Sequence, residues 1–367
     1  MSTETTQQLP ENIEGIGKDE DDSLGEYPID TVLIRTENRT IHDVLRRINK
    51  GNFIMDPDFQ REFVWPEDKQ SKLIESVLMR IPLPVCYLAE NDDGKMVVVD
   101  GLQRLSTFQR FVNNELKLKL PKQSELNSKS FKELSPKLQN RVEDCNLILY
   151  IIDAKVPSKA LLDIFDRVNS GEPLTRQQMR NCLHMGPATQ FLKNEAQLDL
   201  FKRVTGGSLD PKSMRDREFV NRFCAFQLLD LSSYKGDMDD FLAQTLVKMN
   251  KMDSKALEQL SHQFRTSLKN NSNVFGIHAF RKHLVGQEKR SVINASLWDV
   301  MSTGLSEFPE SLVEARAEAL QNAFYQLFED LDFVDAISLG TNQVNKVKER
   351  FNQTQAIFDE VFNAHTN

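Results

Sequence analysis

Between Thr40 and Asp153 short apolar runs alternate with helix-periodic ones, whereas from Pro157 onward the apolar positions recur almost everywhere at helical spacing. Thr40 is placed to cap a helix whose apolar positions Ile41, Val44, Leu45 and Ile48 share one face, and Gly51 is placed to close it. Phe53-Ile54-Met55 reads as a short strand. Pro66 suits the first turn of a second helix, which buries Leu73, Ile74, Val77 and Leu78. Val85 to Ala89 and Lys95 to Val99 read as two strands joined through the turn Asn91-Asp92-Asp93-Gly94. A helix from Leu102 follows, and Leu116 to Leu120 and Cys145 to Asp153 are then expected to be strands. The later half predicts helices near 157–169, 175–194, 214–231, 238–252, 254–269, 291–305, 310–334 and 342–362, with Thr175 and Gln178 at capping-box spacing. The expected fold class is α+β, a small mixed sheet with helices, followed by an all-helical domain. The expected boundaries are a tail over 1–26, an α+β domain over 27–155 and a helical domain over 156–367.

Length and composition agree with two soluble domains: 367 residues exceed the usual single core, and the chain is 40% hydrophobic and 27% charged. Charge changes the picture at one place. Residues 1–26 hold eight acids against Lys18, so almost all of the net charge of −8 lies in a segment without periodicity, which is expected to be disordered. The remaining body is close to neutral, which leaves room for a local basic patch and does not exclude nucleic acid. Cys86, Cys145, Cys182 and Cys224 lie far apart with no Cys-x-x-Cys pair, which argues against a zinc knuckle or a disulfide scaffold. There is no basic-then-apolar leader pattern, and the longest apolar run, Leu147 to Ile152, is too short to span a bilayer. A cytoplasmic protein without a membrane partner is expected.

The richest chemistry lies where the apolar run Met96 to Val99 meets the helix pattern of Leu105 to Val112, across Asp100-Gly101-Leu102-Gln103-Arg104. A strand, a glycine turn and a helix start within five residues aim free N–H groups and the positive end of a helix dipole at whatever occupies the turn, which suits phosphate. Arg104 can fork onto phosphate oxygens, and Asp100 can hold Mg²⁺ or orient a water. An N-capping aspartate and a surface arginine on an ordinary turn would give the same pattern. Upstream, Phe59-Gln60-Arg61 and Trp65 bring an amide, a cation and aromatic rings together; bases stack on such rings, although Phe59 and Phe63 better suit a sheet–helix core. Glu75 is a carboxylate within reach of such a site, and an exposed helical glutamate is its plainer reading. His42, His184, His262, His278, His283 and His365 are scattered, outside any His-Glu-x-x-His context; of these only His278 and His283, five apart, invite a metal reading.

Taken in order, Pro57-Asp58-Phe59-Gln60-Arg61, Trp65, Leu73-Ile74-Glu75-Ser76, Ile81-Pro82-Leu83-Pro84 and Asp100-Gly101-Leu102-Gln103-Arg104 resemble the N-terminal domain of GmrSD-type modification-dependent restriction proteins. Ile164 to Gly171, Pro173-Leu174-Thr175 and Met179-Arg180-Asn181 are similar to that family's next block. The resemblance implies a ParB/sulfiredoxin-like fold whose Asp-Gly-Gln-Gln-Arg signature belongs to a nucleoside triphosphate site, often in systems acting against foreign DNA. Asp100, Gly101, Gln103 and Arg104 fall on that signature, and Gln60 and Arg61 on the upstream Gln-Arg pair. Leu102 departs from it, replacing an amide by an apolar group. The His-Asn-His nuclease block found in the second half of such proteins is not visible, which points to a separate nuclease subunit as partner.

The expectation is thus a nucleoside triphosphate-binding and hydrolysing component of a restriction or defence system acting on foreign or modified DNA, with Mg²⁺ as cofactor. Backbone N–H groups at Gly101 and the Arg104 guanidinium would hold the phosphates, Arg61 would add charge, and Asp100 or Gln103 would orient water. Gln60, Trp65, Arg167 and Asn169 complete the expected nucleotide site. The alternatives are a nucleotide-sensing or DNA-binding module without turnover, and a nuclease with its metal on Asp100.

Overall fold

A computed structural model of the protein describes residues 13–15, 33–55, 65–91, 93–156, 160, 161, 164, 167 and 175–363. The chain forms two compact units, one of Leu24–Leu174 and one of Thr175–Asn367 together with Met1–Ser23.

The first unit runs β1 (Ile34–Thr40), α1 (Ile41–Asn49), β2 (Phe53–Ile54), α2 (Glu67–Leu78), β3 (Cys86–Glu90), β4 (Met96–Asp100), α3 (Leu102–Val112), α4 (Pro136–Glu143) and β5 (Asn146–Ile152). Its five strands lie in the order β1-β5-β3-β4-β2. β1 with β5 and β3 with β4 are antiparallel, whereas β3 with β5 and β2 with β4 are parallel. The mixed sheet follows from the connections: the tight turn after β3 returns an antiparallel neighbour, and the helical crossovers return parallel ones.

Helices α1, α2 and α3 form where their apolar spacing allows one face of the sheet to be covered. Ile41, Val44, Ile74, Val77, Leu105 and Phe108 join Leu88, Val98 and Leu149 in one core. Thr40 accepts from Asp43 N–H at 3.2 Å and caps α1 as its spacing predicts. Gly51, with φ 71°, donates to Ile48 O at 2.9 Å just beyond the helix end.

Three elements depart from the sequence reading. β1 is unexpected because Ile-Arg-Thr-Glu-Asn-Arg-Thr has no apolar face; it is an exposed edge strand held by its ladder to β5. Leu116 to Leu120 is not a strand. Its alternation is real, since Leu116, Leu118 and Leu120 are buried, but its backbone bonds run to Ser128, Lys129 and the side chains of Ser71 and Asn127. α4 escaped notice because Val142 is its only buried residue, so little periodicity marks it.

The second unit is helical: α5 (Arg176–Leu183), α6 (Pro187–Ala196), α7 (Asp199–Thr205), α8 (Arg215–Leu228), α9 (Met238–Met249), α10 (Ser254–Phe275), α11 (Ala295–Gly304), α12 (Glu310–Ala315), α13 (Ala317–Leu327), α14 (Leu331–Ala336) and α15 (Val344–Asn363). The capping box of Thr175 and Gln178 is present at the start of α5. Gly186-Pro187 breaks the expected 175–194 helix in two, and the 310–334 helix is three short ones. Trp298 anchors the core, in edge contact with Phe201 and Phe219 and donating to Phe219 O at 2.8 Å. Asp299 is fully buried between Arg222 and Arg350, at 2.6 and 3.0 Å.

The acidic tail is expected to be disordered, and where it falls within the described residues, at Ile13 to Gly15, it is docked on the helical unit. Glu14 donates to Ile293 O and accepts from Ala295 N–H, each at 3.0 Å, and its carboxylate meets Lys282 Nζ at 2.5 Å. Ile13 packs against the helical core. A backbone addition of this kind leaves no periodic signal in a polar segment.

The change of unit also falls later than 155/156. Val156, Ala160 and Leu161 are buried and belong to the first unit; helical spacing marks a helix without saying which core receives it.

Candidate functional site at the start of α3

β4 ends on Asp100, and the chain turns at once into α3 through Gly101, whose φ of 103° is the left-handed region that glycine tolerates. The position is also sterically closed, because a Cβ at Gly101 would lie 2.6 Å from Cys86 Sγ. A β-bulge between Tyr87 and Leu88 shifts the β3–β4 register so that Asp100 stands opposite Tyr87. α3 starts without a side-chain cap, and its first helical bond runs from Leu105 N–H to Gly101 O at 2.9 Å. The N–H groups of Leu102, Gln103 and Arg104 therefore precede the helix's own hydrogen-bond ladder.

Arg104 is nine-tenths buried and turned onto protein acceptors. Its Nη2 donates to Asp100 Oδ2 at 2.6 Å and to Val85 O at 3.0 Å, and its Nη1 donates to Pro84 O. The guanidinium thus ties the start of β3 to the end of β4. Gln103 reaches the other way, its Oε1 accepting from Trp65 N–H at 3.0 Å. Gln70 Nε2 donates to Trp65 O, and Arg110 holds Gln70 Oε1 at 2.8 Å. Lys69 Nζ sits 4.2 Å from the centre of the Trp65 ring. Leu102 is half-buried and packs against the α+β core.

Asp100, Gly101, Gln103, Arg104 and Trp65 are thus gathered at one junction. Arg167 has helical backbone and is exposed. Gln60, Arg61 and Asn169, with Phe59 and Phe63, lie outside the described residues. The flanks of the Gln60–Arg61 segment are fixed beside the junction: Ile54 pairs with Val97 of β4, and Trp65 is bonded to Gln103.

Two of the expected site residues already have protein partners. Arg104, expected to fork onto phosphate, spends its donors on Asp100, Val85 and Pro84. Asp100, expected to hold Mg²⁺, already has a carboxylate oxygen on that guanidinium, and the described residues include no group of three or more His, Cys, Asp or Glu placed to hold a metal ion. Burial pushes the Cys86 thiol up to about 11, against the opposing pull of Arg104.

Sequence reasoning missed Pro84, Val85, Cys86 and Gln70 as partners of the junction. Pro84 belongs to the Ile81-Pro82-Leu83-Pro84 motif, which gave a signal of importance, but a carbonyl twenty residues from its arginine leaves no spacing to read. Among the histidines, His278 and His283 stack with ring centroids 4.9 Å apart, and His283 also meets Phe275, Tyr325 and Phe328. No helix among the described residues is long and apolar enough to cross a membrane.

No curated protein matches the chain. Residues 41–185, which include the whole junction from Trp65 to Arg104, match the family model described as the GmrSD restriction endonuclease, N-terminal domain. Over that stretch the chain is similar to the N-terminal domain of GmrSD restriction endonucleases.

Proposed function

We propose that the α+β unit binds a nucleoside triphosphate at the start of α3, as the nucleotide-handling component of a cytoplasmic restriction or defence system that acts on foreign or modified DNA through a separate nuclease subunit. The observation that carries this reading is the first turn of α3, entered through Gly101 at the carboxyl end of β4. Three N–H groups and the positive end of an eleven-residue helix suit phosphate oxygens. Arg104 then acts as a positioning residue that fixes the turn. Gln60 and Arg61 supply a further amide and cation.

The Asp100–Arg104 pair favours binding and nucleotide sensing over turnover. Hydrolysis is the second reading, and it requires Asp100 to leave Arg104 when nucleotide arrives. Phosphodiester cleavage with a metal on Asp100 meets the same obstacle. Calorimetry with each of the four nucleoside triphosphates, beside a phosphate-release assay with and without DNA, tests the proposal. Saturable binding without phosphate release supports a sensor, binding with release supports hydrolysis, and absence of binding removes the nucleotide reading.

A further inference from the structure

We infer that Tyr87 and Tyr150 form the base-binding corner of this site, so that the ligand is a whole nucleotide laid across the sheet from Asp100 towards β5. The inference rests on the nucleotide reading above and adds to it the place of the base.

Three residues carry the argument. Tyr150 of β5 pairs with Tyr87 of β3, and Tyr87 pairs with Asp100 of β4, so the three stand side by side in one row across the sheet. Directly paired residues share a face. Cys86 and Leu88, which flank Tyr87, are buried in the core with Leu149, which precedes Tyr150. The tyrosines therefore point to the opposite face, where both are only half-buried. The bulge at Tyr87/Leu88 brings Asp100 into this row, where an unbroken register would have set Val99 opposite Tyr87.

The two rings meet edge to face, with centroids 5.3 Å apart and planes inclined at 65°. Such a pair presents one ring face beside the edge of the other, a corner that a planar base can fill by stacking. Two strand spacings, about 10 Å, separate Tyr150 from Asp100, the scale that separates base from terminal phosphates in an extended nucleotide. Trp65 suits the role less well, since Lys69 already lies over its ring and its body packs on the core.

The test compares nucleoside triphosphates with inorganic tripolyphosphate on the intact protein by calorimetry. Wild type should bind at least one nucleoside triphosphate roughly tenfold or more tighter than tripolyphosphate, the margin that base stacking supplies. Tyr87→Leu and Tyr150→Leu should each remove most of that margin and leave tripolyphosphate affinity unchanged, and Tyr87→Phe and Tyr150→Phe should restore it. Equal wild-type affinities for nucleotide and tripolyphosphate overturn the base corner while leaving phosphate binding at α3 intact, and this result needs no variant to fold. A nucleotide preference that survives both leucine substitutions overturns it as well. Absence of binding by either ligand overturns the nucleotide reading and this inference with it.

Discussion

Asp100 and Arg104 lie 2.6 Å apart across the first turn of α3, and the same guanidinium holds the carbonyls of Pro84 and Val85. An arginine that reads in sequence as a ligand group is thus the clasp of the strand–helix junction. Arg104→Ala should destabilise the α+β unit by about 1–3 kcal/mol, because it removes a buried guanidinium that bonds two carbonyls and a carboxylate. Chemical denaturation of the full chain measures this. A stability change below about 0.5 kcal/mol would show that the clasp is dispensable and return Arg104 to a ligand role.

Gly101 should tolerate no side chain. Gly101→Ala carries roughly 1–2 kcal/mol for the left-handed backbone and a further cost for the contact with Cys86 Sγ. Adding Cys86→Ala should recover the second part alone, so a double-mutant cycle should show coupling of about 0.5 kcal/mol or more. Strict additivity would mean that backbone conformation is the whole cost.

Leu102 packs against the α+β core. Leu102→Gln should therefore lower stability by about 1–2 kcal/mol without improving nucleotide affinity. Tighter binding in the variant would place the side chain towards the ligand instead.

The docked piece of the tail makes a separate prediction for the helical unit. Removal of residues 1–15 deletes the Glu14 backbone bonds, its ion pair with Lys282 and the packing of Ile13, and should lower the Tm of that unit by several degrees, about 1–2 kcal/mol. Calorimetric scans of full and shortened chains check it. An unchanged transition would show that the contact carries no net stability.

His283 should make the helical unit acid-sensitive. Burial holds its imidazole below the ordinary value of 6.5, with its neighbour His278 pushing the same way and the Arg281 carbonyl opposing. The unfolded chain therefore binds a proton at higher pH than the folded one, so stability present above pH 6.5 is lost as pH falls below it. His283→Phe fits the aromatic wall and should flatten the difference in denaturation midpoint between pH 7 and pH 5. An equal drop in wild type and variant would assign the acid sensitivity to carboxylates.

Local signals carried much of the architecture. The cap at Thr40, the α1 to α3 faces, the β3–β4 hairpin and the capping box at Thr175 each depend on residues within one or two turns of each other, so sequence alone specified them. The Asp100 to Arg104 junction was legible for the same reason: strand end, glycine and helix start are consecutive. Contacts between distant segments were not. β1 exists only because β5 offers it a ladder, Leu116 to Leu120 finds loop and side-chain partners in place of a strand, and Glu14 docks on Ile293 and Lys282. The direction of the Arg104 side chain belongs with these. Its residue type and spacing fit a phosphate and a carboxylate equally well, and it was the approach of Pro84 and Val85, brought near by the pairing of β3 with β4, that gave the guanidinium nearer acceptors.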